Sequence, residues 1–109
     1  SGQGEYYFED GERVRYKGGF RNGKLDGYCI EYYWNGIIAY AGNWNLGTRE
    51  GYGSSYREDE TKVYEGEWQN GQYSGWGIEY DQNGTPVWEG LFSEGMRVQQ
   101  APEDGGEAI

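Results

Sequence analysis

Aromatic and polar residues alternate along most of this chain. In segment 64–68, Tyr64 and Trp68 stand at the two ends, glycine lies at the centre, and glutamates fill the positions between them. Segment 75–80 alternates in the same way, and a period of two residues is typical of β-strands. Asn70-Gly71 separates the two segments, and Asn-Gly favours the positive φ angles of tight turns. The pattern therefore predicts an antiparallel β-hairpin.

The same pattern recurs every 24 residues, because aromatic-x-Gly-x-aromatic motifs begin at residues 16, 40, 64 and 88. Self-similarity at a fixed period of this size indicates a repeat architecture. We therefore divide the chain into a repeat domain over residues 1–98 and an acidic tail over residues 99–109. The repeat domain consists of a partial unit over 2–15, three full units over 16–39, 40–63 and 64–87, and a partial unit over 88–98.

The core predicted for these repeats is aromatic. In each motif the two rings share one face of a strand, and the glycine between them has no Cβ to hold a neighbouring ring away from the backbone. Each hairpin can bury its rings only against the next hairpin, so isolated units should not fold. The predicted core residues are Tyr16, Phe20, Tyr40, Trp44, Tyr64, Trp68, Trp88 and Phe92.

The repeated motif resembles the MORN repeat (membrane occupation and recognition nexus), whose unit reads roughly Tyr-x-Gly-x-Trp/Phe-x-x-Gly-x-x-x-Gly-x-Gly. The match is best over residues 64–77 and good over 40–53, and about four to five repeats cover residues 2–96. The resemblance implies an all-β fold, an elongated and curved single-layer antiparallel sheet of consecutive β-hairpins with a groove. It also implies a scaffold for protein binding, with proposed phospholipid binding or an adjoining enzyme domain in some members.

Three residues depart from the motif. Cys29 replaces the second glycine of the Gly-x-Gly pair in the first unit, and Leu46 replaces the asparagine of an Asn-Gly turn. Glu60 stands where the turns of the other units have glycine. We expect the fold to tolerate all three, but Glu60 leaves open the geometry of the turn that contains it.

Charge and composition exclude several classes of protein. The chain has 109 residues and a net charge of −10, so nucleic acid is excluded as a partner and anionic membrane lipid is disfavoured. A single cysteine cannot form an intrachain disulfide, and no apolar run approaches the length of a membrane span. We expect a cytoplasmic protein that reaches the cytoskeleton or a membrane through partners. Because the chain begins with Ser1, we interpret it as a fragment of a longer protein.

The sequence predicts no catalytic, metal or cofactor site. Histidine is absent, which removes the commonest general base and zinc ligand. Cys29 is expected to be a small packed side chain rather than a nucleophile. The glutamates Glu65, Glu67, Glu79 and Glu89 alternate with aromatic residues, so we expect them on a solvated face rather than in a catalytic pair.

The open face of a single-layer sheet is the predicted binding surface, since exposed aromatic patches generally mark interaction sites. Two rows of equivalent positions vary between units as a recognition surface would: Tyr28, Ile30, Tyr52, Ser54, Trp76 and Ile78. A third row, Tyr32, Tyr56 and Tyr80, is expected to be core. The predicted partner is a peptide or amphipathic helix with Lys or Arg beside its apolar anchors.

Two alternative functions and one further partner remain open at this stage. A membrane-associated adaptor would bind phosphoinositide headgroups through Arg13, Arg15, Lys17, Arg21 and Lys24. A regulatory domain would be appended to an enzyme in the parent protein. The sheet edges near residues 5–8 and 88–98 also favour a homodimer, unless the tail folds over an edge or into a groove.

Overall fold

A computed structural model describes residues 2–98 of the chain. They form one open, nine-stranded antiparallel sheet in which each strand pairs with the next in sequence, confirming the predicted all-β sheet of consecutive hairpins. The tail predicted over 99–109 lies outside the described residues. The strands are β1 Gly2–Tyr7, β2 Val14–Arg21, β3 Lys24–Tyr32, β4 Ile38–Asn45, β5 Thr48–Tyr56, β6 Lys62–Gln69, β7 Gln72–Tyr80, β8 Pro86–Ser93 and β9 Met96–Arg97.

Two-residue turns join the strands along one long edge of the sheet. Asn70 and Gly71 have φ values of 54° and 80°, which is the left-handed combination that a tight hairpin turn requires. Leu46 adopts the same conformation, with a φ of 46°. Its N–H donates to the Asp26 carboxylate at 3.0 Å. The Gly47 N–H donates to the Leu25 carbonyl at 2.7 Å, so this turn is held to the preceding unit.

The turns over residues 33–37, 57–61 and 81–85, on the other long edge, are alike, so Glu60 does not alter the geometry of its turn. Glu60 has a φ of 78°, against 89° for Gly36 and 81° for Gly84. Its N–H donates to the carbonyl three residues earlier, as at both glycines. The hydrogen bonds of the turn therefore impose the left-handed conformation on a residue that does not favour it.

One face of the sheet, the packed face, carries the aromatic core. Tyr40 and Tyr64 are 0% exposed, and Trp68 stands edge-on to both rings at a centroid distance of 5.2 Å. The rings fit because their neighbours are glycines: a Cβ on Gly53 or Gly77 would fall 2.1 Å from the hydroxyl of Tyr40 or Tyr64. The aromatic layer therefore lies directly on the backbone.

The predicted core residues all belong to this layer. Tyr40, Trp44, Tyr64, Trp68 and Phe92 are buried, and Tyr16, Phe20 and Trp88 pack against them while half-buried. The three half-buried rings lie on β2 and β8, toward the two ends of the strand order, where fewer hairpins remain to cover them. Within residues 2–98 there is no helix with the length and apolar character needed to cross a bilayer.

Cys29 makes a hydrogen bond that a tyrosine hydroxyl makes in the next two units. The hydroxyls of Tyr40 and Tyr64 donate to the carbonyls of Asn43 and Glu67 at 3.1 and 2.8 Å. In the first unit the equivalent carbonyl belongs to Gly19, and the Cys29 thiol donates to it at 3.2 Å. The thiol therefore takes the place of the tyrosine hydroxyl as the hydrogen-bond donor to this carbonyl. Cys29 is a small packed side chain, as the sequence predicted.

Candidate interaction surface

The six predicted groove residues lie on one face of the sheet, opposite the packed face, which we call the open face. Tyr28, Tyr52 and Trp76 pair across the strands with Asn43, Glu67 and Leu91. These aromatic side chains are 59%, 53% and 48% exposed. The second row, Ile30, Ser54 and Ile78, is half-buried on the same face.

Acidic residues lie inside this surface rather than around it. Glu65 is directly opposite Ser54 and Ile78, and Glu89 is opposite Ile78 on its other side. Glu67 is opposite Tyr52. The C-terminal half of the open face therefore alternates aromatic or apolar side chains with carboxylates.

Glu79, expected on the same solvated face, lies instead on the packed face. It pairs directly with Tyr64 and Trp88, and its carboxylate accepts a hydrogen bond from Arg97 at 2.8 Å. The prediction failed because Ile78 and Tyr80, the neighbours of Glu79 in β7, lie on the open face. The packed face beside Glu79 carries the Tyr64 and Trp88 rings of the neighbouring strands, β6 and β8.

A hydrogen-bonded cluster fixes the centre of the open face. The Glu65 carboxylate accepts from Tyr52 at 2.8 Å, from Lys62 at 2.9 Å and from Tyr80 at 3.1 Å. The hydrogen bond from Lys62 and then that from Tyr52 lower the pKa of Glu65, so the carboxylate is ionised at neutral pH. Tyr52 is thus held in one orientation although half of its side chain is exposed.

The row of Tyr32, Tyr56 and Tyr80 also lies on the open face, and the expectation that it belongs to the core is wrong. All three residues are half-buried, and none belongs to the buried cluster. They pair with Ile38, Lys62 and Pro86 next to an irregularity in each ladder. Tyr32, Ile38 and Tyr56 line an apolar cavity of about 490 Å³.

The five cations of the lipid-binding alternative do not form one patch. Arg13 stacks on Trp34 at 4.3 Å and donates to its carbonyl, whereas Arg21 and Lys24 pair at the opposite end of the strands. Arg13 and Arg21 are eight positions apart in sequence, a distance of about 26 Å along an extended strand. Arg15 lies over the Phe8 and Tyr16 rings.

Lys17 is separate from both groups, because it lies on the open face opposite Glu5 and Ile30. A headgroup at either end of β2 would therefore contact two of the five cations. The remaining cations would be too distant to share it.

Two arginines that the sequence pattern did not single out lie on the packed face. Arg49 lies over the Tyr40 ring at 4.4 Å and pairs with Glu31 at 2.7 Å. Arg97 repeats this arrangement with Trp88 and Glu79. The signal was available in the sequence, because both arginines occupy the same repeat position and both glutamates precede them by 18 residues.

The described residues offer little for covalent or metal chemistry. Burial raises the pKa of the Cys29 thiol, so the group is neutral, and it is 0% exposed. Among residues 2–98, no three His, Cys, Asp or Glu side chains group closely enough to hold a metal ion.

Comparison with protein families gives a match over most of the chain. The family described as MORN repeat matches residues 1–13, 16–37, 40–61 and 64–85. These four segments follow the 24-residue spacing of the aromatic motifs at residues 16, 40 and 64. A search of curated proteins found no match to the chain.

Proposed function

The chain belongs to the MORN-repeat family, and from this premise we propose that it holds a peptide or amphipathic helix of a partner protein against its open face. MORN repeats are generally modules for interaction with proteins or membranes, and they are typically non-catalytic. The chain would act as a scaffold, with Tyr28, Ile30, Tyr52, Ser54, Trp76 and Ile78 as its contact residues.

The observation that carries the proposal is the exposure of large aromatic side chains on a rigid sheet. Tyr52 and Trp76 each leave about half of the side chain in solvent, although equivalent rings on the packed face are covered. Aromatic anchors at fixed positions give contact area at a small entropic cost. The hydrogen bond from Tyr52 to Glu65 restricts that ring before a partner arrives.

The charge of the surface supports a cationic partner segment. Glu67 and Glu89 are exposed beside Trp76 and Ile78, and no ion pair involves either carboxylate within residues 2–98. A Lys or Arg side chain lying along the Trp76 ring would gain a cation–π contact and a carboxylate together. The partner segment would then alternate cationic and apolar residues.

Peptide binding tests this proposal. A fluorescein-labelled amphipathic peptide of Lys and Leu should bind the chain at physiological salt, and the same design with Glu in place of Lys should not. Trp76→Ala should weaken binding at least about tenfold, since interface tryptophans are frequent hot spots. Trp34→Ala is the matched control, because Trp34 is similarly exposed but lies outside the six contact residues. Equal losses in the two variants would contradict the proposal.

The membrane-adaptor alternative receives less support, because the five cations are spread along β2 and a net charge of −10 opposes an anionic surface. The chain should therefore not pellet with phosphoinositide vesicles at physiological salt. Pelleting that is lost on substitution of Arg13 and Arg15 would favour this alternative instead.

A regulatory role beside an enzyme domain would use the same open face and would depend on the parent sequence. We further propose a cytoplasmic location, with contact to the cytoskeleton or a membrane through partners.

A further inference from the structure

Within the described residues, strand β9 covers only the beginning of the strand type that β7 shows in full. It pairs with the last two residues of β8, as the first two residues of β7 pair with the last two of β6. Strand β7 then continues and pairs with three further residues of β6, at positions 64–66. Within residues 2–98, no strand lies beside the three corresponding residues of β8, which are Trp88, Glu89 and Gly90.

Strand β1 has the part that β9 lacks. Gly4 of β1 pairs with Gly18 of β2, and Gly77 of β7 pairs with Gly90 of β8, in ladders of the same register. The six residues of β1 are therefore equivalent to the last six of the nine residues of β7. Together, β9 with Val98 and β1 would make one complete strand of this type.

We propose that β1 of a second copy of this chain pairs with β8, so that two copies join head to tail through a shared strand. The β6–β7 ladder gives the register of the contact, with Tyr6, Glu5 and Gly4 of the second copy opposite Trp88, Glu89 and Gly90. The two strands would pair antiparallel, as β6 and β7 do. The second copy would therefore continue the sheet without a break.

The side chains on the packed face fit this register. The Trp88 ring lies beside Gly90 of its own strand, where an added Cβ would fall 3.4 Å from the ring. In the equivalent unit, the Tyr64 ring extends over the next strand into the space at Gly77. Gly4 of the second copy would leave the equivalent space open. Tyr6 would cover Trp88, which is half-buried and whose buried Nε1 has no hydrogen-bond partner within the described residues.

The sequence after Val98 is a poorer occupant of the same position. Gln99, Ala101 and Pro102 stand where β7 has Gly75, Gly77 and Ile78. A Cβ at the Gly77 position falls on the tyrosine ring in the equivalent unit, and proline cannot donate to a ladder. A second copy therefore satisfies the pattern of the strand better than the chain's own continuation does.

The open face opposes the contact in one place. Glu5 of the second copy would stand directly opposite Glu89, and like charges in such a pair are destabilising. A net charge of −10 per chain adds a general repulsion. Association should therefore be weak at low salt and strengthen as salt screens these charges. The contact joins β8 of one copy to β1 of the next, which are different surfaces. It therefore continues from copy to copy rather than closing as a symmetric dimer.

Disulfide trapping tests the arrangement. Residues directly opposite in a ladder have Cβ atoms about 4.5–5.5 Å apart, which a disulfide can bridge with small adjustment. Under mild oxidation, a mixture of the Glu5→Cys and Glu89→Cys chains should give a cross-linked heterodimer, and neither variant alone should give the same yield. Cys29 is buried in every sample and serves as a constant background. Equal cross-linking of each variant with itself, or none in the mixture, would overturn the proposal.

A charge reversal tests the register by a second route. Glu89→Lys should tighten self-association about fivefold in sedimentation velocity, since it turns a repulsive cross-strand pair into an attractive one. Glu67→Lys is the matched control, because it changes the net charge equally on the same face but lies on β6, which has a strand on both sides. The same gain in both variants would overturn the proposal. So would cross-links that form only after residues 99–109 are deleted, because the chain itself would then cover β8.

Discussion

Trp68 and Trp76 are separated by one turn and lie on neighbouring strands, yet they have opposite environments. Trp68 on β6 is 5% exposed and Trp76 on β7 is 48% exposed. Strands β4, β6 and β8 direct their aromatic residues to the packed face, and strands β3, β5 and β7 direct Tyr28, Tyr52 and Trp76 to the open face. Tyr73, at the start of β7, is an exception and stacks on Tyr64 in the packed layer. On the packed face, the second set of strands contributes glycine and so makes room for the rings of the first set.

This comparison shows that one residue type serves two purposes according to what lies beside it. Tyr64 is buried because Gly77 of the adjacent strand leaves space for its ring. Tyr52 is exposed because it lies on the open face, where the residue opposite it is Glu67 rather than another ring. The packed face stabilises the fold, and the open face is free for recognition.

The two tryptophans give the largest predicted contrast. Trp68→Ala should lower the free energy of unfolding by about 3–5 kcal/mol, because it removes a buried ring and leaves a cavity. It also removes the Nε1 hydrogen bond to the Gly53 carbonyl. Trp76→Ala should change stability far less while weakening peptide binding. Thermal melts followed by circular dichroism measure both variants, and an equal shift in the two would show that the faces are not energetically distinct.

Neighbouring residues of β5 give the next contrast. Gly53→Ala places a Cβ against the Tyr40 ring and should cost about 1–3 kcal/mol, as overpacking of a core typically does. Ser54→Ala changes the open face one residue away and should stay within about 0.5 kcal/mol. Urea unfolding gives both values. A Gly53→Ala chain as stable as the wild type would mean that the tyrosine layer can shift freely.

Alkaline pH should separate the two kinds of tyrosine. Burial raises the pKa of Tyr64 to about 12, above the value of an unfolded tyrosine. The stability that this shift contributes is fully present below the unfolded pKa of about 10 and is lost as pH rises toward 12. Unfolding monitored by tryptophan fluorescence should therefore begin above pH 10. Tyr64→Phe should reduce the steepness of this loss, whereas Tyr28→Phe on the open face should not.

Cys29 allows the smallest test. Cys29→Gly restores the motif of the other units and opens the space into which the Tyr16 ring can move. Stability should change by less than about 1 kcal/mol, since a thiol hydrogen bond is exchanged for a hydroxyl one. Tyr16 should become less accessible, which its rate of nitration would report. Unchanged nitration would indicate that the position of Tyr16 in β2, and not Cys29, keeps it half-buried.

Most of the fold could be predicted from the sequence, because the signals are local and repeated. The Asn70-Gly71 turn and the alternation around Tyr64 specify a hairpin, and the 24-residue spacing repeats it. The turn at Glu60 is one that these local signals do not predict. It lacks the glycine that the turn favours, but the flanking hydrogen bonds place it in the left-handed conformation nonetheless.

The candidate surface was predicted less completely, because it depends on neighbouring strands. Alternation within β7 separates Trp76 from Glu79 but does not say which of the two faces is packed. The pairing of Glu79 with Tyr64 and Trp88 decides that. The cations of β2 look like one stretch in the sequence, but an extended backbone spreads them along its length.

The sequence by itself determined the strands, the turns, the repeat and the rings that form the core, since each depends on residues within one hairpin. Only the tertiary structure decided how the hairpins complement one another. Glycine on one strand receives the ring of the next, Arg49 reaches Glu31 across the sheet, and Glu65 gathers Lys62 with two tyrosines. These contacts join strands whose register is set by the whole ladder, so no single unit contains the information that fixes them.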